Sequence, residues 1–164
     1  MRLIIGFIAI LGLVLGCAPA QKEIKVTEYV LETRTVDGFD SIRAMQDGAD
    51  QYGMRQYVMA FLYAGPNRSQ DDSTRMDLQR KHLDNINRLA EEGYLAVAGP
   101  FLDDGDLKGI YLFNVTTVEE ARELTGTDPA VKAGSLVMEL HPWYGSAALF
   151  EVNEIHKKIA KVYI

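Results

Sequence analysis

Cysteine is almost absent from this sequence. Of 164 residues only Cys17 carries a thiol, so no internal disulfide can staple the fold, and its core must hold it unaided. Histidine is scarce too: His82, His141 and His156 are scattered, and with one cysteine they give no ligand set at zinc or iron spacing, so neither metal nor other cofactor is expected. The glycines fall singly at turns and helix ends rather than in a phosphate-cradling loop, which removes support for nucleotide binding. No serine stands in a strand-to-helix nucleophile elbow. The acidic run Asp103, Asp104 and Asp106 lacks the glutamate of a calcium loop, its twelfth position being Asn114, and reads as a solvated hairpin turn. Nor is the chain basic: 17 Lys and Arg against 23 Asp and Glu leave a formal charge of −6, which repels nucleic acid and anionic lipid head groups alike.

Also missing is any apolar run of the ~20 residues that a spanning helix requires. What stands at the start is shorter. Met1 and Arg2 form a small positive region, and Leu3 to Leu15 runs almost without a polar atom, the length of a secretory signal. The junction Val14, Leu15, Gly16, Cys17 resembles a bacterial lipobox. Residues 1–16 are therefore expected to be removed, with Cys17 lipidated and residues 17–53 serving as anchor and tether. The alternative is an ordinary secretory signal with an incidental cysteine. On the lipobox reading the protein is exported and membrane-anchored on the periplasmic or outer-membrane face, held there by its acyl chains.

The remainder suits one domain plus a tail. Phe39 to Met45 can form a short helix capped by Asp37 or Asp40, with Gly48 beyond its end. Gln56 to Ala64, rich in β-branched and aromatic residues and closed by Gly65-Pro66, predicts a strand. A helix capped by Ser73 or Thr74 carries Met76, Leu83, Ile86 and Ala90 at helical spacing and ends before Gly93. Strands over Tyr94–Ala98 and Gly109–Val115 meet across the acidic turn. Thr117 and Glu120 make a capping box for a short helix, Asp128-Pro129 starts one more turn, and Leu136 to His141 reads as the last strand. The order β-α-β-β-α-β predicts an α+β, ferredoxin-like sheet over residues 54–145 with helices on one face. Its strands are apolar on both faces, so the other face needs a cover, for which a second copy packing sheet against sheet is the economical answer: a homodimer. Residues 146–164 form an amphipathic extension, suited to packing on that partner.

His82 falls one turn before Ile86 and two before Leu89, and so points with the apolar stripe toward the sheet. It is either a core-edge histidine satisfied by one hydrogen bond or a working group. Arg80 to Pro100 (R-K-H-L-D-N-I-N-R-L-A-E-E-G-Y-L-A-V-A-G-P), taken with Thr127 to Gly134 (T-D-P-A-V-K-A-G), resembles the YCII-related family, the similarity running from Tyr57 to about Tyr144. That resemblance implies a dimeric α+β barrel and a His-Asp pair in a cleft, here His82 and Asp128. A carboxylate beside an imidazole fixes its tautomer and favours its charged form, giving a general acid or base near neutral pH. Asp128 before Pro129 is equally an ideal helix cap, and the two roles are compatible. His141 and Tyr144, in the run H-P-W-Y-G, are candidates for the same cleft. Otherwise Pro142 stops the strand and the aromatic rings seal the dimer. Two functions follow: an acid–base enzyme acting on a small organic molecule by isomerisation, elimination or lactone chemistry, or a binding or accessory module with the same cleft.

Overall fold

The computed structural model describes residues 37–162, so the expected signal, Cys17 and the first part of the expected tether lie outside the described residues. The compact unit begins at Gly38. It therefore takes in α1 (Ser41–Gln46), whose first amides are capped by Asp40 and whose exit passes through Gly48 at positive φ. An Arg43–Glu151 ion pair ties α1 to the C-terminal segment, so residues 38–53 belong to the unit and are not free tether.

The order is β1 (Met54–Ala64), α2 (Asp72–Glu91), β2 (Leu95–Pro100), β3 (Leu107–Phe113), α3 (Val118–Thr125), α4 (Pro129–Lys132), β4 (Leu136–Ser146), a 3-10 turn (Ala147–Glu151) and α5 (Val152–Ile159). The strands form one antiparallel sheet in the order β2-β3-β1-β4, the ferredoxin-like α+β arrangement. Alternation along the strands sorts the side chains. Val58, Ala60, Leu62, Tyr111 and Phe113 face the helices and close the main core with Leu89 and Ala121. Tyr57 and Leu112 face the other way and form a smaller cluster with Ala96.

Three local expectations are corrected. The cap of α2 is Asp71, whose carboxylate accepts from the Thr74 amide, rather than Ser73 or Thr74. β4 does not stop at Pro142 but runs on to Ser146, with Pro142 opposite Val58. β4 is an edge strand, where a proline can direct its missing N–H away from the ladder. Finally, part of the outer sheet face is covered by the chain itself: Leu149 packs on the Tyr57 cluster, Ala147 is buried, and Asn153 Nδ2 donates to Leu95 O at 2.6 Å, binding the C-terminal segment to the β2 edge. The extension thus packs on its own sheet. Further along this face Met59, Phe61 and Ile110 are half-buried and Val137 is 47% exposed.

At the opposite end of β1 the backbone leaves no room. A Cβ at Gly65 would lie 2.2 Å from Gly134 O, so the β1–α2 and α4–β4 connections touch main chain to main chain. That contact brings the start of β4, the turn after α3 and the first turns of α2 to one end of the sheet.

Candidate functional site

α2 lies over the sheet with His82, Asn85 and Leu89 buried, a stripe at three- and four-residue spacing. The turn after α3 presents Asp128, which is fully buried. The two side chains meet 46 residues apart in sequence: His82 Nδ1 lies 2.7 Å from Asp128 Oδ2. The other carboxylate oxygen accepts the Ala130 amide at 2.8 Å and caps α4. Asp128 therefore serves both functions, one oxygen for each. Since an ionised carboxylate only accepts, it selects the Nδ1–H tautomer and leaves Nε2 with a lone pair.

Nε2 faces Tyr111 on β3, whose hydroxyl is 3.3 Å away and whose ring stacks on the imidazole at 6.1 Å between centroids. Burial, reinforced by the nearby Asp128 carboxylate, pushes the Tyr111 phenol far above its ordinary range, so it stays a neutral O–H donor. Sequence reasoning counted Tyr111 only as part of an apolar strand. The available signal was that a tyrosine in a buried strand needs a partner for its hydroxyl.

A second, part-buried set of bonds braces this arrangement. Arg88 Nη2 donates to Asn85 Oδ1 at 2.9 Å and to Thr127 Oγ1 at 3.0 Å, and Thr127 Oγ1 lies 3.1 Å from Asn85 Oδ1. These bonds fasten α2 to the residue immediately before Asp128. They too were missed, because nothing in the local pattern pairs positions on separate elements.

His82 and Tyr111 line a cavity of about 830 Å³ that runs along the seam between α2 and the β2 edge, walled by Leu62, Leu83, Ile86 and Leu136. Its size and apolar walls are those of small-molecule sites. His141 and Tyr144 do not reach it. His141 projects from the outer sheet face, edge-on to Phe61 at 5.6 Å and 3.1 Å from Glu139. Tyr144 sits toward the far end of β4, about 26 Å of extended chain beyond Leu136. There its hydroxyl bonds to Asp50, which raises its pKa to about 12. Alternation along β4 puts His141 on the wrong face, and strand length carries Tyr144 away. Among the described residues no cluster of His, Cys, Asp and Glu has the makings of a metal site.

Truncating Asp128 to Ala should cost about 2–4 kcal/mol, since it removes the α4 cap and strands a buried imidazole N–H. Asp128→Asn should cost less, because its carbonyl can still cap, but its amide should drive His82 toward the Nε2–H tautomer. Urea unfolding and ¹⁵N histidine spectra read these two effects, and an unchanged tautomer in Asp128→Asn would separate the two residues.

No curated protein matches the chain at a significant level. Among solved structures, a similar one is a 5-chloro-2-hydroxyhydroquinone dehydrochlorinase from Burkholderia phenoliruptrix in complex with 2,5-dihydroxybenzoquinone, 21% identical, covering 54% of this chain and 93% of that one with a TM-score of 0.41. The YCII-related domain model matches residues 57–144, the stretch that carries all but the outer ends of β1 and β4 and both members of the His82–Asp128 pair, and the chain belongs to that family.

Proposed function

We propose that this protein is an acid–base enzyme for a small organic molecule, with His82 as the proton carrier. The observation that carries the reading is the 2.7 Å contact between His82 and a fully buried carboxylate, at the wall of an apolar cavity. In the resting state Nε2 is a lone pair receiving the Tyr111 O–H. A bound substrate takes over that hydroxyl, which is then free to donate to a substrate oxygen. Nε2 removes a proton from the adjacent carbon. The imidazolium formed is stabilised by Asp128, and returning the proton to a different atom, or losing a leaving group, gives isomerisation or elimination. This chemistry needs only a substrate with an acidic C–H beside a carbonyl.

Two further features complete the reading. A second copy covers the apolar strip around Met59, Phe61, Ile110 and Val137, making a homodimer through the outer sheet face. The V-L-G-C junction directs export and lipid attachment at Cys17, which holds the domain at a membrane.

Each part has its own test. Deuterium exchange into a panel of 2-oxo acids, β-keto esters and lactones, followed by proton NMR, should identify a substrate. His82→Ala should then slow exchange by about 10² to 10⁴-fold while the near-UV spectrum stays native. A folded His82→Ala protein with full exchange activity would end the acid–base reading, and ligand binding without exchange in the parent protein would make it a binding module. Phe61→Glu should convert the dimer to a monomer in light scattering, whereas a monomeric parent protein would remove the dimer. Labelled palmitate should enter the full chain expressed in a bacterium and be lost in Cys17→Ser; labelling that persists in the variant would refute attachment at Cys17.

A further inference from the structure

The polar groups that line the cavity near the start of α2 are unevenly matched. Arg68, on the loop between β1 and α2, lines the wall, and among the described residues its guanidinium bonds only the Ser135 carbonyl, at 3.2 Å. Among the described residues no carboxylate pairs with it. Arg75 lines the same wall from α2, two helical turns before His82 and on the same face, about 10 Å along the axis. Its ion pair is with Asp72, which does not line the cavity. Gln70 also lines the wall, and its side-chain N–H donors are buried without an acceptor. The carboxylates nearby are placed elsewhere. Asp128 spends both oxygens on His82 and Ala130, the hairpin aspartates are off the wall, and the acidic wall residue, Glu91, lies at the other end of α2.

Donors that lack acceptors, beside a cation whose charge is matched only by a carbonyl, define what would complete them: an anion with oxygen acceptors. Such a cluster is against the trend of a chain with a net charge of −6. We infer that the ligand of this cavity is a carboxylate, its apolar body lying along Leu62, Leu83, Ile86 and Leu136 and its charged end taken by Arg68 and Arg75 at the mouth. Arg68, with its planar fork already oriented by Ser135, is the specificity-determining group. The inference rests on the proposed function only in assigning the ligand to the same chamber; it does not require that His82 move a proton.

The test uses pairs of probes that differ in charge and little else: hexanoate against hexanamide and benzoate against benzamide, titrated into the full chain at low salt and followed by NMR. Each carboxylate should bind about tenfold or more tighter than its amide, the scale of one charge-assisted hydrogen bond. Arg68→Gln should erase that preference, Arg75→Gln should reduce it, and amide binding should stay unchanged in both. Because both arginines are exposed, thermal melts should match the parent. Equal binding within each pair, including no detectable binding of either member, overturns the inference, as does a preference that survives in the Arg68→Gln/Arg75→Gln double variant. His82→Ala separates this from the acid–base reading: carboxylate preference should persist there even when exchange activity is gone.

Discussion

The Asp128 carboxylate is withdrawn from water altogether, and a bare charge in that position would be ruinous to the fold. Its two oxygens are each given one donor, from different parts of the chain: a backbone amide at the start of α4 and the imidazole of α2. The second bond is long-range, so α2 must lie where it does for the carboxylate to be tolerated. The Arg88 bonds to Asn85 and Thr127 reinforce the same junction from further along the helix. Positioning of the candidate base and stability of the helix layer are consequently one problem with one solution. A site built on such a junction is rigid by construction, which is what a proton-transfer geometry requires.

The sheet divides its two faces between different tasks. Toward the helices it supplies Tyr111 and the floor of the chamber. On the outer side it is partly occupied by the chain's own C-terminal turn, through Leu149 and Ala147, and leaves a narrower apolar strip where His141 and Phe61 meet. The strict alternation of a strand lets both arrangements be written into the same eleven residues of β1.

Much of this was legible in the sequence where the cause is local. Thr117 and Glu120 form their capping box because the partners sit three residues apart, and the structure contains both bonds. The strand and helix order followed from periodicity. Where competing local signals were nearly equal, boundaries moved: Asp71 outcompeted Ser73 and Thr74 as a cap, and edge placement let β4 pass through Pro142. His82 and Asp128 were paired through a family resemblance, not through any local rule, since nothing in the chain announces a contact across 46 residues. Tyr111 and Arg88 were passed over for the same reason: a hydroxyl inside an apolar strand or a guanidinium on a helix declares its partner only when the elements are assembled. The candidates in the H-P-W-Y-G run were misplaced because nearness in sequence to the last strand says nothing about which side of it, or how far along it, a group will stand.

The edge at β2 has a consequence beyond the chamber it borders. An unpaired strand edge is an invitation to any extended peptide, and polymers grow by accepting it. Here the Leu95 carbonyl is already engaged by Asn153, the register slips between Leu95 and Val97, and the strand ends in a proline that has no hydrogen to give. An incoming chain would find too few rungs to climb, so neighbouring molecules would have little means of zipping together along this flank.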